Sequence, residues 1–437
     1  MEQLKQLLKD AGIVGAGGAG FPSYAKLSEG ADLLVINGAE CEPLLYTDLL
    51  ILQTSLDRVV YGAEIILSKT NIKKAILGIK EHTAARLGLT DGDEIGHGVE
   101  VRVLDNVYPL GDEIALIYET TKRLVKPGNL PITEGVIVYN VETVYNIANA
   151  ISSNAPVTTK WVTVGGVVAN PTVIKVPVGS KVGDIFKALS INIGENETVI
   201  DGGPSMGKII NYRTASIKKN TKALLVLPND IEAVRTKKLN TVTVSARAAT
   251  ACCQCTRCTD MCPRNLLGYP LEPHKMVRTA MGAVEAAPIM VLSATLCCGC
   301  GVCETLACPQ GISPRAVIAE YKQLLAKNKM KFVQNTASVK TERNYRRVST
   351  ERWKRMLGVS KFDKVATRVE NLELSRVEIL LSQHIGAPSV PVVNTGDMVK
   401  RGELIARAAD GLSLPQHASI DGVVTVHGDK IIIEKVN

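Results

Sequence analysis

Apolar and polar positions along the first 150 residues predict helices and buried strands in alternation. Apolar runs predict strands over residues 33–37 and 74–79, and a further strand is predicted over 99–104. Helical spacing predicts helices over 4–11, 48–67 and 140–151. Alternating strands and helices are typical of a layered α/β domain. We therefore predict such a domain over residues 1–152.

The pattern changes to short alternating strands after this region. Strands are predicted over 161–166 and 172–176 and a helix over 182–189, which indicates a small β-rich domain at 155–212 followed by a connecting β segment at 213–249. Residues 250–325 form the next domain, with a helix predicted over 272–286, and residues 326–372 a basic linker. Short strands cut by Gly-Asp turns predict a compact β module over 373–437.

Length and composition indicate an ordinary globular protein of several domains. The chain has 437 residues, of which 46% are hydrophobic, enough to bury several cores. We find no apolar run long enough to span a membrane and no signal peptide order at the start. Ten of the eleven cysteines lie between residues 252 and 308, which suggests ligands rather than disulfides. The expected location is the cytoplasm.

The formal net charge of +8 is concentrated in one segment. Basic residues are dense between 327 and 368, and only Tyr345 and Trp353 are interleaved with them. A nucleic-acid interface would need more aromatic side chains among the charges. We therefore predict no nucleic-acid binding, and a solvated linker helix or a docking face for an acidic partner.

The cysteines form two runs that each end in Cys-Pro. The spacing is Cys252-x2-Cys255-x2-Cys258-x3-Cys262 in the first run and Cys297-x2-Cys300-x2-Cys303-x4-Cys308 in the second. Three thiolates two residues apart on a tight loop can hold three corners of a cubane, whose fourth iron needs a ligand from elsewhere. Zinc sites usually pair two short hooks or include histidine, and only His274 lies nearby. The spacing favours iron–sulfur clusters.

This is the spacing of two-cluster ferredoxins, in which the fourth cysteine of each run binds the other cluster. That resemblance assigns one [4Fe-4S] cluster to Cys252, Cys255, Cys258 and Cys308 and the second to Cys297, Cys300, Cys303 and Cys262. Cys253 and Cys298 are predicted to be non-ligands, although a shift of one residue in register would recruit either.

A loop with five glycines lies between Gly12 and Gly20 and is followed by Phe21 and Lys26. Its bare backbone could cradle a phosphate, with Lys26 supplying charge, or it could be only a tight turn. The spacing Gly-x-Gly-x-x-Gly precedes a proline and follows no clear strand, which disfavours a standard dinucleotide site. A polar loop at 37–43 follows a predicted strand, where open α/β sheets bind ligands.

Four motifs together carry a resemblance to a known family. They are Gly-Ala-Gly-Gly-Ala-Gly-Phe-Pro at 15–22, Asn-Gly-Ala-Glu-Cys-Glu-Pro at 37–43, Tyr-Pro-x-Gly-Asp-Glu at 108–113 and Asn-Val-Glu-Thr at 140–143. The series resembles the flavin-binding fold of the NADH-oxidising 51 kDa subunit of respiratory complex I. It resembles more closely the family of the Rnf complex C subunit and the cobalamin reductase of the propanediol-utilisation microcompartment, over essentially the whole chain.

The resemblance implies a multidomain α/β protein. Its parts would be an FMN- and NADH-binding domain like that of the 51 kDa subunit, a soluble-ligand-binding β-grasp (SLBB) domain, a helical two-cluster ferredoxin domain and a C-terminal barrel-sandwich hybrid. That barrel resembles lipoyl carriers, but Ser419-Ile420-Asp421-Gly422 replaces the modified lysine turn, so no lipoylation is expected. The Rnf protein carries the barrel near its N-terminus, so the domain order favours the reductase.

The resemblance also implies site residues. FMN would lie against Gly15, Gly17, Gly18, Lys26, Asn37, Glu40, Gly111, Asn140 and Thr143, and NADH against Phe21, Glu42 and Glu113. A carboxylate of Glu42 near a ribose would favour NADH over NADPH. The chain departs from the complex I pattern at Ala16 and Ala39, where that subunit has arginine and aspartate.

The implied function is NADH-dependent reduction of cob(III)alamin or cob(II)alamin for a B12-dependent lyase. Nicotinamide gives two electrons as hydride whereas a cubane accepts one, so the implied order is NADH, FMN, first cluster, second cluster and corrinoid. The alternatives are an electron-transfer subunit of the Rnf or proline-reductase type, and a ligand-binding module with structural clusters. Implied partners are a corrinoid, a corrinoid-carrying or adenosylating protein, and a microcompartment shell protein, with the microcompartment interior as a second location.

Overall fold

A computed structural model of the chain describes residues 1–282, 288–366 and 368–436. The N-terminal part is a five-stranded sheet covered by helices, as predicted. In chain order its elements are α1 (Glu2–Asp10), β1 (Leu33–Gly38), α2 (Thr47–Lys69), β2 (Lys74–Lys80), α3 (Glu81–Leu87), β3 (Glu94–Gly96), β4 (Val99–Leu104), β5 (Val107–Tyr108), α4 (Glu113–Thr121), β6 (Val136–Asn140) and α5 (Val141–Ser153).

The strand order of this sheet is β3-β4-β2-β1-β6, with only β3 antiparallel to its neighbour. The apolar runs of β1 and β2 are buried because helices cover both faces, as parallel sheets require. Parallel pairing of β1 with β6 sets Asn37 beside Asn140 at the carboxyl edge. This edge is where α/β sheets bind ligands.

A second sheet of six strands follows. Its elements in chain order are β7 (Thr159–Gly166), β8 (Thr172–Pro177), α6 (Val182–Ala188), β9 (Glu197–Asp201), β10 (Lys208–Ile210) and β11 (Ala223–Pro228), with a late strand, Val369–Asn371, added at the edge of β8. Strand β11 lies between β9 and β7 in the middle of the sheet. The predicted boundary at residue 212 was therefore too early, because the buried run of β11 completes the sheet core.

Short helices form the cysteine-rich domain. They are α7 (Glu232–Arg235), α8 (Thr241–Ala251), α9 (Arg257–Asp260), α10 (Pro263–Leu266), α11 (Pro273–Ala280), α12 (Pro288–Leu292) and α13 (Pro314–Lys327), with a π-helical turn at Cys303–Ala307. The segment 213–249, predicted as connecting β structure, thus ends in helices. Helices α8, α11 and α13 share a core that includes Met276 and Val317. The end of the helix predicted over 272–286 lies outside the described residues.

The basic segment is not a solvated linker helix. It forms strand β12 (Val348–Ser349), paired with β5, and helix α14 (Thr350–Leu357), whose Trp353 is fully buried and stacks on Tyr108 at 4.6 Å. Guanidinium groups of Arg343 and Arg347 contact Glu119. The high density of charge gave no indication of the buried Trp353, and the other alternative, a docking face for an acidic partner, stays a prediction.

The C-terminal module is a pair of small sheets, as predicted. After β13, the late strand Val369–Asn371, its strands are β14 (Arg376–Leu380), β15 (Val390–Pro391), β16 (Met398–Val399), β17 (Leu404–Arg407), β18 (Gln416–His417), β19 (Gly422–His427) and β20 (Lys430–Glu434). The orders are β14-β20-β19-β16 and β15-β17-β18. Among the helices that the structure describes, none is both long and apolar enough to cross a membrane.

Candidate flavin and iron–sulfur sites

The glycine loop is closed on itself and packs against the start of α5. Val14 and Pro22 form a bridge, and the Gly15 amide donates to the carbonyl of Phe21 at 2.8 Å. The Ala16 amide donates to Oγ1 of Thr143 at 3.0 Å. A Cβ at Gly17 would meet Asn140 at 2.9 Å, so this close approach requires glycine.

One side of the loop faces open space. A Cβ placed at Gly18 would have no neighbour within 4 Å. The loop thus presents bare backbone to an open side above the carboxyl edge of the sheet. That is the kind of surface against which a flavin phosphate can lie, and it fits the predicted group.

Predicted flavin residues from the ends of two strands and from one loop meet at this edge. The Asn37 side-chain amide donates to the Gly111 carbonyl at 3.0 Å, and that of Asn140 donates to the Asn37 carbonyl at 3.3 Å. A Cβ at Gly111 would lie 2.9 Å from Sγ of Cys41, which explains a glycine there. The structure therefore brings together residues that are up to about a hundred positions apart.

Lys26 and Glu113, predicted on the FMN and NADH sides, form one ion pair. Nζ of Lys26 donates to Oε1 of Glu113 at 2.9 Å and to the Val138 carbonyl at 3.1 Å. The two side chains are 29% and 40% exposed, so water reaches both. Exposed pairs are weak, and either partner can exchange this contact for a ligand.

Glu40 caps helix α2 from inside the site. Its carboxylate accepts hydrogen bonds from the amides of Asp48 at 3.0 Å and Leu49 at 3.3 Å. Burial, reinforced by the nearby Asp48 carboxylate, raises the pKa of Glu40 to about 7. The residue therefore changes charge near neutral pH, although it anchors a helix that carries the site.

Replacing Glu40 by glutamine should flatten the dependence of stability on pH. Between pH of about 4.5 and 7, folded Glu40 holds a proton that the unfolded chain releases, so wild-type stability should fall as pH rises through this window. Glu40→Gln keeps an acceptor oxygen but does not titrate. Urea unfolding at several pH values, with exposed Glu94→Gln as the control, measures this. An unchanged slope in Glu40→Gln would contradict the expectation.

Glu42 contacts a loop of the second sheet. Its carboxylate accepts hydrogen bonds from the amides of Ser205 and Met206, both at 2.9 Å, in the loop between β9 and β10. Burial raises the pKa of Glu42, and the amides oppose that rise. Both oxygens thus accept backbone hydrogen bonds, and the role of Glu42 on the NADH side stays a prediction. The partner loop is about 160 positions away, which the motif could not indicate.

A buried charge network beneath the loop was missed by sequence reasoning. Nζ of Lys222 donates to Asp48 and to Asn140, and lies 3.4 Å from Glu142. Lys160, fully buried, pairs with the same Glu142. Both lysines come from the second sheet, so the network joins it to the flavin edge. The available signal was a lysine directly before the apolar run of β11.

The first cysteine site is a pocket in the cysteine-rich domain. Its lining includes the predicted ligands Cys252, Cys255, Cys258 and Cys308. Gln254 and Thr256 have φ of 53° and 61°, which turn the loop around the thiols, and the Ile312 amide points at Sγ of Cys308 at 3.3 Å. Cys253 also borders this pocket, so the alternative register stays open.

The second cysteine site is more deeply buried. Cys262, Cys300 and Cys303 are buried and Cys297 is partly so, and the Gly299 amide points at Sγ of Cys297 at 3.3 Å. Burial raises the pKa of the Cys303 thiol, and the nearby Glu304 carboxylate raises it further. The crossed ligand assignment, which groups these four cysteines around one cluster, stays a prediction.

The two thiol groups fit iron–sulfur cubanes. All eleven cysteines are free, and backbone amides point at sulfur in both groups. Among the described residues, no three metal-ligating side chains converge on a single-ion position. Each thiolate of a cubane binds a different iron, so its ligands need not converge on one ion.

The second site, not the first, contacts the flavin domain. The Tyr108 hydroxyl donates to the Cys300 carbonyl at 2.7 Å, and Arg264, two residues after Cys262, pairs with Asp112 at 2.7 Å. The first pocket is lined only by residues 252–314. The implied order, which placed the first cluster next to the flavin, stays a prediction, and these contacts favour the second site as its neighbour.

Fold and site together define a multidomain oxidoreductase with a flavin domain and a two-cluster ferredoxin domain. Family models match at residues 8–149 (Nuo51 FMN-binding domain), 251–313 (4Fe-4S dicluster domain) and 360–434 (RnfC barrel sandwich hybrid domain). The chain is 36% identical to the "Cobalamin reductase PduS" of Salmonella typhimurium over 99% of its own length and 96% of the relative's. The chain belongs to the cobalamin reductase family, which confirms the resemblance.

More distant similarities cover less of the chain. Identity is 31% with the C subunit of the "Na(+)-translocating ferredoxin:NAD(+) oxidoreductase complex" of Acetobacterium woodii, over 61% of this chain and 58% of that one. A solved NAD+-reducing [NiFe]-hydrogenase in the air-oxidized state has 21% identity and a TM-score of 0.46, over 82% and 66% of the two chains. The three matched models leave 150–250 uncovered, so the β-grasp assignment there stays a prediction.

Proposed function

We propose that this chain is an NADH-dependent cobalamin reductase that contains FMN and two [4Fe-4S] clusters and reduces cob(III)alamin or cob(II)alamin for a B12-dependent lyase. The observation that carries the proposal is the full-length similarity to a cobalamin reductase, at 99% of this chain and 96% of the relative. FMN supplies the exchange between hydride and single electrons.

The predicted site residues would bind the flavin and the nucleotide. The loop from Gly15 to Gly18, with Asn37, Asn140 and Thr143 behind it, would hold the flavin against the sheet edge. Lys26 and Glu113 would bind polar groups of flavin and nucleotide once their mutual contact opens. Phe21, half-buried at the end of the loop, would face the nucleotide. No side chain is needed as a nucleophile.

We propose further that electrons arrive at the buried cysteine site and leave at the other. The contacts of Tyr108 and Arg264 set the Cys262, Cys297, Cys300 and Cys303 group against the flavin domain. In the other group Cys255 is exposed and Cys253 beside it is also exposed. A buried receiving site and an open exit site suit transfer to an external acceptor, since an acceptor must approach the exit group closely.

An anaerobic assay tests the proposal. The protein, reconstituted with iron, sulfide and FMN, would be mixed with NADH and followed by absorbance and EPR before hydroxocobalamin is added. We expect flavin and both clusters to be reduced, and the corrinoid to be reduced over many turnovers. If NADH bleaches neither flavin nor clusters, the proposed function is wrong.

A second candidate is an electron-transfer subunit that donates to a protein partner. The similarity to the C subunit of the Acetobacterium woodii complex over 61% of this chain and the exposed exit cysteines favour it. In the same assay, clusters that are reduced but do not pass electrons to hydroxocobalamin would support this function. A corrinoid-carrying or adenosylating protein, a shell protein and a microcompartment location stay predictions.

A further inference from the structure

Two other domains hold the glycine loop of the flavin domain. Lys219 lies just before β11, and its side chain is buried, with 2% exposed. Its Nζ donates to the Gly12 carbonyl at 2.9 Å and to the Pro415 carbonyl of the C-terminal barrel at 3.3 Å. One ammonium group thus joins the start of the glycine loop, the second sheet and the barrel.

The far end of the loop is held in the same way. The amide of Ile385, in the barrel turn after β14, donates to the Gly20 carbonyl at 3.0 Å. The side-chain amide of Asn220 donates to the Gly18 carbonyl at 3.2 Å. The loop is therefore bound at its start, middle and end by groups outside the flavin domain.

The barrel turn and the lysine are also bonded to each other. Oε1 of Gln383 accepts a hydrogen bond from the Lys219 amide at 3.0 Å. The Gln383 carbonyl would lie 3.2 Å from a Cβ at Gly20, so the turn packs directly against the loop. Gly20 has φ of 74°, a conformation that glycine adopts without strain.

Docking of the barrel does not need these contacts. The barrel already joins the second sheet through the Lys181–Glu378 ion pair at 2.8 Å, the Glu378 amide on the Gly179 carbonyl at 2.7 Å and the Ser419 hydroxyl on the Val178 carbonyl at 2.6 Å. Burying an ammonium whose hydrogen-bond acceptors are carbonyl oxygens is costly, and burial lowers the pKa of Lys219 to about 7. A role in holding the glycine loop would explain why the chain buries the Lys219 ammonium at this cost.

We propose that Lys219, Asn220 and the barrel turn around Gln383 are positioning residues for the flavin: they fix the glycine loop in the conformation that receives FMN. A loop with five glycines between Gly12 and Gly20 has many unbound conformations, and fixing one in advance lowers the cost of binding. The inference rests on the proposed flavin role of this loop. The C-terminal barrel would then contribute to flavin binding through this turn.

Titration of flavin-free, full-length protein with FMN, followed by quenching of flavin fluorescence, tests the inference without turnover. We expect Lys219→Met to raise the Kd of FMN by about tenfold or more, since it removes hydrogen bonds made by a charged group. Asn220→Ala should raise it roughly threefold to tenfold through one neutral hydrogen bond. Lys181→Met, which removes a barrel contact remote from the loop, should leave Kd unchanged.

The outcomes separate the inference from the proposed function. If wild type, Lys219→Met and Asn220→Ala all bind FMN with the same Kd, the inference is wrong but the proposed function stands. Wild type that does not bind FMN would overturn the flavin assignment and the inference with it. Asn220→Ala keeps the buried lysine, so it remains a fair test if Lys219→Met unfolds, and thermal unfolding of each flavin-free variant monitors this.

Discussion

Replacing Cys262 by serine is expected to remove one cluster and to prevent NADH from reducing the other. Dithionite should still reduce the cluster that remains. Cys262 belongs to the first cysteine run, but the predicted crossed assignment groups it with Cys300, whose carbonyl accepts a hydrogen bond from Tyr108 of the flavin domain. Losing that cluster would cut the remaining one off from the flavin. The measurements are iron and sulfide content, expected to fall by about half, and EPR spectra after NADH and after dithionite.

The matched variant is Cys308→Ser, which should remove the exposed cluster and leave the buried one reducible by NADH. Cys308 belongs to the second run but lines the pocket of Cys252, Cys255 and Cys258. Cobalamin reduction should be lost in this variant too. Cys253→Ser and Cys298→Ser should keep both clusters. If NADH reduces the cluster that remains in Cys262→Ser but not the cluster that remains in Cys308→Ser, the proposed order is wrong and the electrons pass in the reverse order.

Replacing Lys222 by methionine should cost about 3–5 kcal/mol of unfolding free energy, because it leaves buried carboxylates without their counter-charge. Nζ of Lys222 contacts Asp48 and Glu142, and the three side chains are 10%, 6% and 0% exposed. Lys160 still faces Glu142, but Asp48 would keep only Asn140 as a side-chain donor. Urea unfolding of the flavin-free protein measures the loss.

The control for Lys222→Met is Lys74→Met. Lys74 pairs with Glu100 across β2 and β4, but its side chain is 44% exposed. A pair of this kind should be worth less than about 1 kcal/mol. Equal losses in the two variants would show that the buried network beneath the glycine loop contributes no special stability.

The sequence alone was sufficient to predict features that depend on neighbouring residues, namely strands, cysteine spacing and family motifs. The apolar runs predicted β1 and β2, because a strand buried on both faces carries its pattern within a few residues. The spacing of the two cysteine runs likewise predicted a two-cluster domain, and in the structure Cys308 lines the same pocket as Cys252, Cys255 and Cys258. The motif series was sufficient to indicate the family.

Only the tertiary structure decided what those local pieces contact. Glu42 sits in an acidic loop, but the loop containing Ser205 engages it. Lys219 and Lys222 follow one another closely, yet one holds the glycine loop and the other neutralises Asp48. Trp353 lies in a basic stretch and is fully buried against Tyr108.

The physical reason is that such roles depend on partners from distant segments. A hydrogen bond between residues 160 or 200 positions apart leaves no period or spacing in the chain. The order of the two clusters is of the same kind, since it depends on which thiol group meets Tyr108 and Asp112 when the domains pack. Spacing predicted the cofactor ligands, and packing determined which residues surround them.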